Sequence, residues 1–191
     1  MEKTMHEYIE TIKDNPIIAA VHTKEDMLEA IRMGVPTIFL LNTDIFSAKA
    51  FVDIAKKSDT NVFLHMDLID GLAPGAKALD YVQKRIAPSG ILSTKSSLIK
   101  YARERGVFCV QRFFMVDSAS YDQAAKTVKK TKPSMIELMP GIIPGVIKKF
   151  TEEVTVPVIA GGMLTESKQV IEALSSGAIG ISTGAKKLWK E

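Results

Sequence analysis

Residues 157–167 read PVIAGGMLTES, and residues 177–189 read GAIGISTGAKKLW. Each stretch begins with a short apolar run, passes through glycine, and continues into polar residues that are typical of the start of a helix. A buried parallel strand followed by a short loop and a helix has this pattern. The two stretches therefore predict two consecutive βα units.

The same pattern of an apolar run followed by an amphipathic segment occurs eight times along the 191 residues. The runs are almost without charge and cover 16–21, 36–41, 61–68, 90–93, 107–113, 135–139, 157–161 and 178–183. Strict alternation favours an α/β protein with a parallel sheet, and eight units favour its closure into a (βα)8 TIM-type barrel. An open doubly wound sheet would normally have a glycine-rich turn after its first strand, where this chain has His22-Thr23-Lys24.

We expect one small domain over residues 1–191, with residues 1–14 as a flanking N-terminal helix, because no linker or change in composition divides the chain. Thr23 and Thr165 are predicted to lie at helix starts. Three glycines follow predicted helix ends: Gly34, Gly106 and Gly177.

Apolar residues make up 46% of the chain and charged residues 25%, which excludes wholesale disorder. The sequence has neither an apolar run of membrane-spanning length nor the basic-then-apolar start of a secretory signal, so we expect a cytoplasmic protein without a membrane partner. Three histidines and one cysteine give no zinc-binding spacing, and we expect no metal and no cofactor. Cys109, within VFCV, is predicted to be a small buried hydrophobe.

The net charge of +3 is too small to identify a nucleic-acid-binding protein. Residues 1–95 carry 11 Lys and Arg against 13 Asp and Glu, whereas residues 96–191 carry 14 against 9. The positive charge is therefore concentrated in the second half. Solvated helix faces explain many such lysines, because cations collect near helix C-termini.

In a βα barrel the ligand site lies at the carboxyl ends of the strands, and the last two strand-to-helix loops often bind phosphate. Glycine lets a phosphate approach the main chain closely, and amide groups at a helix start point toward it. The predicted phosphate-binding residues are Gly161, Gly162, Ser182, Thr183 and Gly184.

Other strand ends carry polar side chains that suit the hydroxyl groups of a phosphorylated polyol: His22, Asp67, Lys95, Arg112 and Glu137. The alternative is a small barrel enzyme acting on a triose or pentose phosphate, with Asp67 and Glu137 as acid and base or Lys95 as a Schiff-base lysine. The connections are too short for the lid that such enzymes often close, so we assign no catalytic residue. His65 is predicted to be a core histidine paired with a carboxylate.

Six stretches form a specific series along nearly the whole chain: HMDLIDGLAPG (65–75), GILSTKSSLIKYARERG (90–106), VQRFFMVDS (110–118), IELMPGIIP (136–144), PVIAGGMLTES (157–167) and ISTGAKKLW (181–189). In this order they resemble the glycerol uptake operon antiterminator regulatory protein family. The resemblance implies a regulator, not an enzyme, that senses glycerol 3-phosphate as its effector. When loaded, it would bind the leader mRNA of glycerol-catabolism genes and prevent premature termination of transcription.

The family's ligand fits the predicted site, and its glycerol part would lie near four residues: Asp67, Lys95, Arg112 and Glu137. The resemblance implies that a small polar residue is also acceptable in place of Gly184. The chain has no RNA-recognition signature. The candidate RNA-binding residues are Arg103, Arg105, Lys129, Lys130, Lys148, Lys149, Lys186 and Lys187. A homo-oligomer is compatible with this interpretation. Loops 68–75 and 140–146 would become ordered around the ligand, and this ordering would couple effector binding to RNA binding.

Overall fold

A computed structural model describes residues 4–190. Its strands, in chain order, are β1 (Ile17–Val21), β2 (Thr37–Leu40), β3 (Thr43–Asp44), β4 (Asn61–His65), β5 (Ile69–Asp70), β6 (Gly90–Ser93), β7 (Cys109–Phe114), β8 (Met135–Met139), β9 (Val158–Gly161) and β10 (Gly180–Thr183). Eight of them close a parallel barrel in the order β1-β2-β4-β6-β7-β8-β9-β10, with β10 paired to β1. The predicted (βα)8 barrel is confirmed.

The helices are α1 (Met5–Asp14), α2 (Lys24–Arg32), α3 (Ala48–Lys57), α4 (Ala76–Tyr81), α5 (Ser96–Glu104), α6 (Ser118–Thr131), α7 (Pro144–Glu153) and α8 (Ser167–Ser175). A π-helical turn, Val82–Ile86, extends α4, and a final 3-10 helix covers Lys186–Lys190. The first three residues of the predicted flanking segment 1–14, and residue 191 of the predicted domain, lie outside the described residues. Within residues 4–190 no helix is long and apolar enough to cross a membrane.

The strand predicted over 61–68 is too long. The strand ends at His65, and Met66–Leu68 forms a 3-10 turn. The reason is that the Asp67 carboxylate accepts hydrogen bonds from the N–H and hydroxyl groups of Thr94, at 2.7 and 2.9 Å. The chain then forms the short pair β3–β5 outside the barrel.

The helix boundaries follow their capping residues. Thr23 caps α2 by accepting from the N–H of Asp26 at 3.1 Å, as expected. The cap of α8 is Glu166 rather than Thr165, because Glu166 forms a reciprocal capping box with Gln169. The three predicted terminating glycines all have positive φ, which other residues rarely adopt: Gly34, Gly106 and Gly177.

The interior of the barrel is filled by inward-facing side chains and closed at its amino end by α1. Tyr8 of α1 packs edge-to-face on Phe63 and Phe108, with ring centroids 5.8 and 5.3 Å apart. Ile12 of α1 fits only because residue 180 is glycine, since a Cβ there would lie 2.6 Å from Ile12 Cγ2. This packing leaves the carboxyl end of the barrel as the open end.

A second apolar layer lies between the strands and the surrounding helices, and Cys109 belongs to it. The Cys109 side chain is fully buried, and burial raises the pKa of its thiol. The prediction of a small buried residue is confirmed.

Candidate functional site

A cavity of about 440 Å³ opens at the carboxyl ends of β1, β7, β8, β9 and β10. Seven of the ten predicted ligand residues line it: His22, Arg112, Glu137, Gly162, Ser182, Thr183 and Gly184. The strand alternation that puts Val110 and Met135 into the barrel core also turns Arg112 and Glu137 inward, two residues nearer the mouth. The cavity therefore lies on the interior of the barrel.

Arg112 and Glu137 form the charged floor of this cavity. They are register partners on β7 and β8, and Arg112 Nε donates to Glu137 Oε2 at 2.6 Å. Arg112 is 7% exposed and Glu137 is 0% exposed. The second carboxylate oxygen, Oε1, has no hydrogen-bond partner within residues 4–190. A buried carboxylate oxygen without a donor is costly, so this atom is suited to accept a hydroxyl group from a ligand.

Gly161 was expected to contact the phosphate, but it lies behind the Glu137 side chain. It does not line the cavity, and a Cβ at this position would collide with the Glu137 carboxylate. Its carbonyl oxygen accepts from the N–H of Gly141 at 2.6 Å. Glycine at position 161 thus makes room for the charged floor.

The last two strand-to-helix loops present unused hydrogen-bond donors to the cavity. Within the described chain, the N–H groups of Gly162 and Gly184 donate no hydrogen bond. The Ser182 hydroxyl, 3% exposed, has no partner there either. Gly162 has a φ of +77°, which suits glycine. A Cβ at Gly184 would lie 3.4 Å from the Ala20 carbonyl oxygen, so a small side chain fits there.

Thr183 connects these two loops. Its hydroxyl donates to the Leu164 carbonyl at 2.7 Å and accepts from the Ala185 N–H at 3.0 Å. Its own carbonyl accepts from the indole N–H of Trp189 at 2.9 Å. Because both hydroxyl interactions stay within the protein, the side chain positions the loops.

Asp67 and Lys95 lie on the far side of the mouth and do not line the cavity. The Asp67 carboxylate accepts from the Ser93 hydroxyl at 2.7 Å and from Thr94, which fixes the β6–α5 connection. The Lys95 side chain is exposed and has no partner within residues 4–190. These two residues therefore do not share the cavity with Arg112 and Glu137.

His65 is a polar group of the barrel interior that the predicted ligand set does not include. It is 4% exposed, and its Nδ1 has no hydrogen bond within the described chain. Burial, followed by the nearby Arg112 charge, lowers the pKa of His65 to about 4, although the Asp67 charge opposes this. As predicted, the ring is buried and lies beside a carboxylate, with Nδ1 4.0 Å from Asp67 Oδ2, which is too far for a hydrogen bond. Its alternation with Phe63 on β4 is the sequence signal for this inward position.

The two loops expected to order around the ligand are already anchored in this structure. Gly141 donates to the carbonyl groups of Gly161 and Gly162, and β5 pairs with β3. Residues 140–146 and 68–75 therefore have fixed contacts with neighbouring connections.

Six of the eight candidate RNA-binding residues have partners within the protein. The partners are Met5 for Arg103, Asp80 and Tyr101 for Arg105, Glu153 for Lys129, Tyr121 for Lys149, Asp26 and Glu29 for Lys186, and Glu166 for Lys187. Lys130 and Lys148 are exposed and have no partner within residues 4–190.

Comparisons with known proteins show the same fold in related proteins. The crystal structure of the glycerol uptake operon antiterminator regulatory protein of Listeria monocytogenes str. 4b F2365 has 37% sequence identity and a TM-score of 0.90, covering 93% of this chain and 96% of that one. An antiterminator-related protein of Thermotoga maritima MSB8 has 29% identity and a TM-score of 0.81, covering 92% and 98%. The Escherichia coli K12 protein YgcP is 32% identical over 178 residues, which is 93% of each chain.

A family model also matches almost the whole barrel, from residue 17 to residue 189. The chain belongs to the family of glycerol-3-phosphate responsive antiterminators.

Proposed function

We propose that the protein is a cytoplasmic transcription antiterminator that binds glycerol 3-phosphate at the barrel mouth and, when loaded, binds the leader mRNA of glycerol-catabolism genes to prevent premature termination. The observation that carries the proposal is the cavity itself, which combines donors for an anion with a buried acceptor for a hydroxyl group. Family membership supplies the effector and the regulatory role.

The phosphate would be bound by the amide groups of Gly162 and Gly184 and by the Ser182 hydroxyl. Glu166, which belongs to the same pair of loops, is neutralised by Lys187 at 2.7 Å and so repels an anion little. A hydrogen bond to a charged group contributes about 1.5–3 kcal/mol, so three of them contribute about 4.5–9 kcal/mol before binding costs. Micromolar affinity needs about 8 kcal/mol after those costs, so contacts to the glycerol part must supply the rest.

The glycerol part would lie against the charged floor. Glu137 Oε1 accepts a ligand hydroxyl, and the Arg112 guanidinium, which uses only Nε for Glu137, has further N–H donors available. The ligand class is therefore a phosphate that carries hydroxyl groups. Inorganic phosphate would lack the second half of these contacts.

Leader-RNA binding measured across a glycerol 3-phosphate titration tests the proposal. RNA affinity should rise as the effector saturates, and the effector should be recovered unchanged. Glycerol 3-phosphate should also raise the melting temperature more than equimolar inorganic phosphate or glycerol does. Unaltered RNA affinity at saturating effector would contradict the sensing mechanism, and turnover of triose or pentose phosphates would favour an enzyme.

Ser182→Ala gives a site-specific test. Removing a donor to the phosphate should weaken glycerol 3-phosphate binding about 10-fold or more, since one such bond contributes about 1.5–3 kcal/mol. Ser134→Ala is the matched control, because its hydroxyl accepts from the Cys109 N–H at the amino end of β7. Equal affinities of the two variants would exclude a contact from Ser182.

A further inference from the structure

Cationic side chains collect at the end of the barrel opposite the cavity. Each helix runs back along its strand, so helix C-termini lie at the amino ends of the strands. The last helical turns before β4, β6, β7 and β8, together with the connections that follow them, carry nine cations: Lys56, Lys57, Lys84, Arg85, Arg103, Arg105, Lys129, Lys130 and Lys132. The same stretches carry two carboxylates, Asp59 and Glu104. We call these nine cations the amino-end arc.

The arc is continuous around the barrel. The four strands are neighbours in the sheet, and the helices before them pack on one another in the same order. Arg105 also joins α5 to α4 through Asp80, at 3.5 Å. With neighbouring helices about 8–10 Å apart, four connections extend over roughly 30 Å. This length suits a nucleic-acid segment better than a single small anion.

Helix dipoles alone do not explain the arc. Cations are favoured at every helix C-terminus, yet the last turns of α7 and α8, both fully described, contain none. Those ends carry Glu152, Glu153 and Glu172 instead. Six cations of the arc have no acidic partner within residues 4–190: Lys56, Lys57, Lys84, Arg85, Lys130 and Lys132. The asymmetry leaves one side of this end with an excess of cations, although α1, which closes the end, adds Glu7, Glu10 and Asp14 against Lys13.

The cavity end has no such excess of cations. Within residues 4–190, its strand-to-helix connections and the first three residues of the helices that follow carry seven lysines and seven carboxylates. A polyanion is therefore attracted to the amino end of the barrel rather than to the mouth.

A polar cleft of about 420 Å³ lies within the arc, between α1 and the connections into β6 and β7. Its lining includes Gln83, Ser89 and Arg105. The Gln83 amide has no partner within the described chain and is half-buried. An amide can both donate to and accept from the edge of an unpaired base. The cleft thus offers a place where a base can be read beside the cations that bind the backbone.

We propose that the amino-end arc is the RNA-binding surface, binding the phosphates of a single-stranded segment and one base in the cleft. The inference rests on the proposed function for the identity of the RNA. Effector and RNA then occupy opposite ends of the barrel. Four of the eight residues expected to bind RNA belong to the arc, namely Arg103, Arg105, Lys129 and Lys130, and the other four do not.

A pair of triple variants tests the surface. Lys57→Gln/Lys84→Gln/Lys130→Gln removes three unpaired cations from three connections of the arc. Lys24→Gln/Lys77→Gln/Lys148→Gln removes three lysines outside the arc that are also exposed and unpaired within residues 4–190, and it serves as the control. Both proteins should melt like the parent, because no ion pair within residues 4–190 is lost.

Binding to an unstructured single-stranded RNA is then measured over a salt series, both without effector and with saturating glycerol 3-phosphate. Each phosphate contact contributes about 0.7 to the slope of log affinity against log salt, so the arc variant should lose about 2 from the slope. If affinities converge at 1 M salt, the loss at 0.1 M is roughly 100-fold. The control should keep the parental slope.

An unchanged slope in the arc variant, an equal loss in the control, or no binding of the parent even at low salt would overturn the inference. The same proteins are also titrated with leader RNA and glycerol 3-phosphate. If glycerol 3-phosphate does not change leader binding but the arc variant still has a reduced slope, the proposed function is rejected and the assignment of the RNA-binding surface is retained. Gln83→Ala should weaken leader binding without altering the slope, and unchanged affinity would exclude the cleft.

Discussion

Arg112 Nε donates to Glu137 Oε2 across 2.6 Å, while Glu137 Oε1, equally buried, has no partner within residues 4–190. One side of the carboxylate is thus committed to the protein, and the other is free for a ligand. Removing either residue leaves the other charge buried without compensation. The pair therefore contributes to stability and to recognition at once.

Glu137→Ala should cost about 3–5 kcal/mol of unfolding free energy, because the Arg112 charge stays buried and unpaired. Combining it with Arg112→Met removes that charge as well, so the double variant should be more stable than Glu137→Ala alone. Urea unfolding of the parent, both single variants and the double variant measures the coupling. Strictly additive losses would show that the two charges do not depend on each other.

Gly161 and Gly184 should respond differently to alanine. At Gly161 the added methyl group collides with the Glu137 carboxylate, and overpacking should destabilise the protein by about 1–3 kcal/mol and weaken effector binding. At Gly184 the methyl group makes an ordinary contact 3.4 Å from the Ala20 carbonyl, so stability should change by less than about 0.5 kcal/mol. Thermal melts with and without glycerol 3-phosphate compare the two, and equal destabilisation would contradict this assignment.

The barrel could be predicted from the sequence because its strands are buried on both faces and appear as uncharged runs between amphipathic segments. The same regularity placed Arg112, Glu137 and the last two loops at the mouth. The end of β4 could not be predicted from the run 61–68, which stays mostly apolar past His65. That strand ends because Asp67 bonds to Ser93 and Thr94, which are 26 and 27 residues away in sequence.

Which basic residues form ion pairs could not be predicted from the sequence either. Lys186 pairs with Glu29, 157 positions earlier in the chain, and Lys187 pairs with Glu166. Only the closed barrel brings these partners together. A cluster of lysines in sequence is therefore a poor guide to which lysines keep an unpaired charge.

Thr183→Val should lower both stability and effector affinity, because it removes the bonds to Leu164 and Ala185 that hold the two loops together. Leaving the buried Leu164 carbonyl without its donor costs about 1–3 kcal/mol. Thr183→Ser keeps the hydroxyl and should retain most of the parental stability and effector affinity. Calorimetric titration and thermal melts provide both readouts, and a serine variant as defective as valine would show that the hydroxyl alone does not hold the loops together.

His65 should make the stability of the protein depend on pH below neutrality. Its pKa is lowered from 6.5 to about 4 in the folded protein, so the unfolded chain binds a proton first as the pH falls. Stability is therefore fully present above about pH 6.5 and is lost toward pH 4. Between pH 7.5 and pH 5 the loss should be about 2 kcal/mol.

Urea unfolding at pH 7.5, 6 and 5 measures this dependence, in a range where carboxylates still contribute little. His65→Gln should flatten the profile whatever its stability at pH 7.5, because the titrating group is gone. His6→Gln is the control, since the His6 side chain is 82% exposed and its loss should leave the profile as it is. A parental slope retained in His65→Gln would assign the pH dependence to other groups, and the neutral His65 ring would then have no part in acid destabilisation.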